Sequence, residues 1–161
     1  MSRALVIGAG PAGLMAAEAL AGAGHEVTVA EAKPSPARKF LMAGKSGLNL
    51  TKDERFEDFL AAYGEAAPAL RPILEGFGPA EVMAWAEGLG QPLFTGSTGR
   101  VFPKAMKASP LLRAWLARLE GLGVRINRRW RWARWEGEAV LMDAPDGPQR
   151  LTPDATVLAC G

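Results

Sequence analysis

Cysteine is nearly absent from this 161-residue chain, with Cys160 the only one. A single thiol excludes an internal disulfide and any paired-cysteine redox or zinc motif. Histidine is equally scarce. His25, alone between Gly24 and Glu26, reads as a surface turn residue and not a catalytic base. No apolar run approaches the roughly eighteen residues that cross a bilayer. The N-terminus lacks the charged, apolar and cleavage regions of a signal peptide. Net charge is only +2, too small to argue for a nucleic-acid partner. These absences lead us to expect a cytoplasmic chain in a reducing setting, with no metal site, no membrane and no nucleic acid bound. Oligomeric state is left open.

What is present is the balance of an ordinary globular domain, 48% apolar and 22% charged. Arg3 to Ile7 reads as a buried strand, Pro11 to Ala23 as a helix ended by glycines, and Val27 to Glu31 as a second strand. Phe40 to Thr51 reads as a glycine-bearing loop. Phe56, Phe59, Leu60 and Tyr63 have helical spacing, and another short helix starts near Pro79. Pro92 to Phe102 carries a hairpin signal around Gly96-Ser97-Thr98-Gly99. Ser109-Pro110 reads as an N-cap and first helical position, followed by a stripe of Leu112, Trp115, Leu116 and Leu119. Val124 and Ile126 open a strand. Trp130–Trp135, Ala139–Asp143 and Gln149–Thr152 suggest a β-meander, and Ala155–Cys160 a final strand. The fold class expected is α/β: a Rossmann-like βαβ domain with a parallel sheet plus the meander, interrupted by an excursion over about 53–102. A strand that runs into the last residue suggests an incomplete domain, with any substrate domain beyond Gly161.

The informative stretch is Leu5-Val6-Ile7-Gly8-Ala9-Gly10-Pro11-Ala12-Gly13. A lone GxGxxG is weak, but this one lies between a strand and a helix. A second strand follows, ending on Glu31, near the expected spacing of about 20 residues. Gly8 permits the tight turn, Gly10 lets a pyrophosphate approach the backbone, and Gly13 lets the helix pack closely. Free N–H groups at the helix start, with the dipole behind them, hold the pyrophosphate. Glu31 accepts from ribose hydroxyls and repels a 2′-phosphate, which argues against NADP in this site. Spacing alone leaves FAD and NAD open. Pro11-Ala12 in the loop, and glutamate in place of aspartate at 31, resemble the FAD domain of glutathione-reductase-type flavoproteins.

Arg38-Lys39 followed by Phe40 to Thr51, with Gly44 and Asn49 inside it, is more specific. It resembles the BaiN-type family of NAD(P)/FAD-dependent oxidoreductases. Gly99-Arg100-Val101-Phe102-Pro103, Lys107-Ala108-Ser109 and the closing Val157 to Gly161 match further stretches of that family, with Cys160 where threonine is usual. Lys45-Ser46-Gly47-Leu48 departs from the family's Gly-Gly-Arg-Cys. The resemblance implies a cofactor site of Gly8, Ala9, Gly10, Pro11, Ala12, Gly13, Glu31 and Ala32, with Arg38 and Lys39 bordering the FAD. It also implies Gly44 and Asn49 towards the ribitol and flavin, Trp132 near the adenine, and Cys160 and Gly161 beside the pyrophosphate. Lys45 reads either as a cation near the flavin pyrimidine edge or as a solvated loop lysine.

The implied activity is FAD-dependent oxidoreduction of a small-molecule substrate, with hydride passing between NAD(P)H or that substrate and the flavin. No side chain stands out as a general acid or base. Two alternatives carry over: a non-catalytic dinucleotide-binding fragment, and a flavin-dependent tRNA-modifying enzyme. Gly44-Lys45-Ser46 is no P-loop, because the required earlier glycine position holds Lys39. In the Arg128 to Trp135 run, Trp130 and Trp132 fall on one strand face and Arg129 and Arg131 on the other, as in an ordinary half-buried strand. Cys160 reads as a small buried residue at a strand end.

Overall fold

A computed structural model describes all residues, Met1–Gly161. The chain divides into two compact units, one of Met1–Phe40 with Leu116–Gly161 and the other of Leu41–Trp115.

The first unit is built on strand β1 (Arg3–Ile7), helix α1 (Pro11–Gly22) and strand β2 (Glu26–Glu31). β1 and β2 run parallel, with Val6 opposite Val29. Ala4 to Ile7 are all buried, as expected of an inner parallel strand covered on both faces. α1 presents Gly13, Leu14 and Ala17 inward. It ends where Gly24 takes a φ of +85°, a left-handed stop suited to glycine. Two further strands, β6 (Arg125–Arg128) and β10 (Ala155–Leu158), complete a parallel sheet in the order β10-β1-β2-β6. A separate antiparallel meander comprises β7 (Arg131–Glu136), β8 (Ala139–Ala144) and β9 (Gly147–Leu151). Val140 and Met142 of β8 join Leu5, Ile7 and Ala30 in one core cluster.

The second unit holds α2 from Leu41 onward (the whole helix is Arg38–Ala43), β3 (Thr51–Lys52), α3 (Phe56–Ala61), a 3₁₀ turn at Gly64–Ala66, α4 (Ala67–Gly76) and α5 (Pro79–Gly88). β4 (Leu93–Thr95) and β5 (Arg100–Pro103) form an antiparallel hairpin that β3 extends. α6 (Ala108–Gly121) carries the chain back to the first unit, with Leu111, Leu112, Trp115 and Leu119 buried. No helix is long and apolar enough to cross a membrane.

Several expectations need correction. Residues 40–43 are helical and not loop, because glycine enters only at Gly44 and Phe40 to Ala43 are adequate helix formers. α4 is missing from the sequence reading because Pro68 and Pro72 both lie in it; Pro68 fits the first turn, where no N–H is needed. Ser109 sits inside the first turn of α6, which starts one residue earlier. β10 stops at Leu158, and Cys160 is exposed, not buried. Arg129 precedes β7 in a left-handed conformation (φ 60°), so it does not share a strand face with Arg131. A bulge between Trp132 and Arg134 then breaks the alternation and leaves Trp135 45% exposed.

Candidate dinucleotide-binding site

The turn between β1 and α1 is constrained atom by atom. Gly8 has a φ of +107°, and a Cβ there would lie 2.2 Å from the Ala159 carbonyl oxygen. Both the conformation and the chain passing just after β10, at Ala159 and Cys160, therefore require glycine. A Cβ on Gly13 would fall 1.8 Å from the Gly8 carbonyl oxygen and 3.3 Å from Val6 Cγ1. The sequence assigns Gly13 to helix–strand packing; the tighter neighbour is the turn's own backbone. Gly10 differs from both, since a Cβ there would meet nothing within 4 Å. A side chain at Gly10 would occupy open space in front of the helix, where a ligand could sit.

That space faces unused donors. Leu14 N–H donates to the Gly10 carbonyl at 2.9 Å, the first bond of α1. The amides of Gly10, Ala12 and Gly13 have no acceptor within the chain, and Pro11 has no N–H to offer. α1 carries no acidic residue in its own first turn, so no side chain of the helix itself offsets the positive end of its dipole. Three free N–H groups, a helix N-terminus and an unfilled approach at Gly10 fit a pyrophosphate.

Glu31 closes the turn. One carboxylate oxygen accepts from Ala9 N–H at 2.9 Å and the other from Lys33 N–H at 2.7 Å. Each oxygen retains acceptor capacity for a hydroxyl. Ala32 beside it is exposed. Ala37, at a φ of 54°, donates to the Ala9 carbonyl at 2.7 Å and curls the segment after β2 back onto the turn. Arg129 donates its amide to the Lys33 carbonyl at 3.2 Å, and the Trp130 amide donates to the Glu31 backbone carbonyl at 2.9 Å. Lys33, Ala37 and Arg129 are the participants that sequence reasoning missed. Neither alanine nor arginine carries a signature for a left-handed backbone, so no local signal marks the last two.

The remaining candidates divide. Arg38 and Lys39 are exposed at the start of α2. Lys39 Nζ lies 3.5 Å from where a Gly161 Cβ would stand, so the structure brings Lys39 and Gly161 together. Cys160 Sγ points to the Ile7 carbonyl at 3.7 Å. Trp132 packs on the Leu5–Ile7–Ala30 cluster, and its buried indole Nε1 has no hydrogen-bond partner. Gly44 and Asn49 belong to the second unit. There a Cβ on Gly44 would lie 2.6 Å from Ala108 Cβ, while Asn49 and Lys45 are exposed. That unit also holds an open cavity of about 490 Å³ whose lining includes Phe59, Tyr63, Leu74, Phe77 and Val82. No group of three or more potential metal ligands converges. His25 Nδ1 lies 2.9 Å from Ser2 Oγ, at the start of β2 and so away from its Glu31 end.

Two carboxyls are held below the usual carboxylate range. Asp154 is lowered chiefly by the Arg3 backbone N–H, and Glu57 by hydrogen bonding to the Arg71 guanidinium.

Against known families, residues 2–161 match the HI0933-like protein Rossmann domain. The chain belongs to the HI0933-like family. No curated protein matches it. The HI0933-like fold seen here resembles that of 3-ketosteroid-Δ4-(5α)-dehydrogenase from Rhodococcus jostii RHA1, with a TM-score of 0.72, 16% identity and coverage of 99% of this chain and 46% of that one. It also resembles THI4 of Thermovibrio ammonificans (TM-score 0.62, 15% identity, 99% and 57% coverage). BexE, studied for oxidation during BE-7585A biosynthesis, is similar as well (TM-score 0.60, 23% identity, 99% and 32%). The chain therefore spans between about a third and just over half of these structures' lengths.

Proposed function

We propose that this chain binds FAD and is the cofactor-holding part of an FAD-dependent oxidoreductase. The carrying observation is the turn itself: free amides on Gly10, Ala12 and Gly13 in front of the unobstructed Gly10, with Glu31 fastened to Ala9 at its edge. In this reading those three amides hold the pyrophosphate, and the Glu31 oxygens accept from the adenosine ribose hydroxyls. Gly8 and Gly13 keep the turn tight enough for that geometry. Arg38 and Lys39 border the cofactor, with Ala32, Trp132, Cys160 and Gly161 lining the adenosine and pyrophosphate side. The HI0933-like family consists of FAD-binding flavoproteins, which supports the choice of FAD over NAD. The name of the Rhodococcus dehydrogenase is in keeping with redox chemistry.

When bound, the flavin supplies a two-electron acceptor. The chain's own residues bind and orient it; none is assigned to proton transfer. The finer reading is the BaiN type, with NAD(P)H or a small organic molecule as the hydride partner. It rests on Arg38-Lys39, the Gly99–Pro103 stretch and Lys107–Ser109. The test is to purify the protein and release any chromophore by denaturation. A yellow protein that releases one FAD per chain is the expected result. A folded, colourless protein that cannot be reconstituted with FAD overturns the reading.

A further inference from the structure

The cations of the first unit are sorted by position. Arg3, Arg118, Arg125, Arg131 and Arg150 each have an acid within 4.0 Å. Lys33, Arg38, Lys39, Arg128 and Arg129 take part in no ion pair, and all five are exposed. Arg134 on β7 is the one other unpaired cationic side chain of this unit.

Lys33, Arg128 and Arg129 gather at the end of β2 that carries Glu31, and Arg38 and Lys39 follow the Ala37 that bonds back to the turn. Lys33 donates its amide to Glu31. Arg128 stands opposite Glu31 in the β2–β6 ladder. Arg129 donates its amide to the Lys33 carbonyl. Arg38 follows Ala37, whose amide is bonded to Ala9 of the turn, and Lys39 Nζ lies beside Gly161. The acid at this edge is Glu31, whose two oxygens are already engaged by backbone amides. Two of the chain's three non-glycine residues with positive φ, Ala37 and Arg129, are in this same rim. Backbone hydrogen bonds hold the segments that carry these cations against the turn, and none of the five has a neutralising partner.

We propose that Lys33, Arg38, Lys39, Arg128 and Arg129 form an electrostatic capture rim that accelerates entry of an anionic dinucleotide into the turn. This rests on the FAD reading above and names how that site acquires its ligand. Unpaired cations around a cleft focus the field on an incoming anion, and exposed charges are screened by salt. Fixed amides alone, by contrast, act only once the pyrophosphate has arrived.

The test is stopped-flow mixing of FAD with the cofactor-free full chain, following flavin fluorescence over a range of ionic strength. The association rate constant should fall steeply with salt. Arg128→Gln with Arg129→Gln should lower it about three- to tenfold at low salt, converge with the parent at high salt, and leave dissociation nearly unchanged. Arg125→Gln with Arg150→Gln removes the same charge outside the rim and should leave association at the parent value. Normal FAD binding with association insensitive to salt and to the rim variant overturns the rim and leaves the FAD reading intact. Equal slowing by both double variants also overturns it, because net charge then suffices. A folded parent chain that neither changes the flavin fluorescence nor retains FAD overturns both readings.

Discussion

The Ala9 amide and the Glu31 carboxylate are joined by a 2.9 Å hydrogen bond across 22 residues of sequence. The turn leaving β1 and the acid ending β2 are thereby one hydrogen-bonded unit before any ligand arrives. The second carboxylate oxygen, fixed by Lys33 N–H, stops Glu31 from rotating. Under the FAD reading, an acceptor for ribose hydroxyls would in this way be oriented in advance, which reduces the ordering cost of binding.

Glu31→Gln tests this coupling. Glutamine offers one carbonyl oxygen where two amides require acceptors, so one N–H loses its partner. Stability should fall by about 0.5–1.5 kcal/mol, measured by denaturant unfolding. Under the FAD reading, affinity should fall about tenfold, equivalent to roughly 1.4 kcal/mol.

Gly13→Ala and Gly10→Ala should separate folding from binding. The first places a methyl 1.8 Å from the Gly8 carbonyl oxygen, backbone against backbone, and should destabilise the fold by about 3 kcal/mol or more. The second places a methyl in open space, at a φ of −80° that alanine adopts freely. Its stability should change by less than about 1 kcal/mol, while FAD binding weakens. Thermal unfolding and a flavin titration on the two variants provide the comparison.

Much of this site is legible in the sequence because sterics dictate it. Gly8 and Gly13 have no room for a Cβ, and Glu31 ends a strand with a clear apolar pattern. The meander is legible too, since turn residues separate its β-rich runs. α4 is not, because Pro68 and Pro72 read as breaks although the first suits a helix start. The left-handed backbone at Ala37 and Arg129 arises from tertiary hydrogen bonds to Ala9 and Lys33, which no local pattern encodes. The exposure of Cys160 is equally a matter of where β10 ends.

Acid should loosen the edge of the parallel sheet through Asp154. Its carboxylate accepts from Arg3 N–H at 2.6 Å, which holds its pKa below the ordinary 3.8. A depressed folded-state value means the contribution is fully present above the unfolded value and is lost as pH falls through the folded one. Asp154→Asn should therefore be less stable than the parent at neutral pH, with the gap narrowing as pH falls below the ordinary 3.8. Urea midpoints of both proteins across that range check the sign. A gap that stays constant with pH would mean the ionised carboxylate is not what matters.

Trp115 should anchor the second unit. It is 1% exposed, and its ring meets Trp85 edge-on with centroids 4.8 Å apart. Trp115→Ala should cost about 3–5 kcal/mol, read from denaturant unfolding. Trp115→Phe should recover more than half of that loss.

The central claim is that the Gly10–Gly13 amides and Glu31 form an FAD site, and equilibrium titration tests it most directly. FAD and NADP are each titrated into the purified chain and into Gly10→Val, with circular dichroism confirming that both proteins are folded. The account predicts saturable binding of one FAD per parent chain, no competition by NADP, and loss of FAD binding in a Gly10→Val protein that keeps its fold. A folded parent chain that takes up no FAD, or a Gly10→Val protein that binds it as well as the parent, would contradict the account.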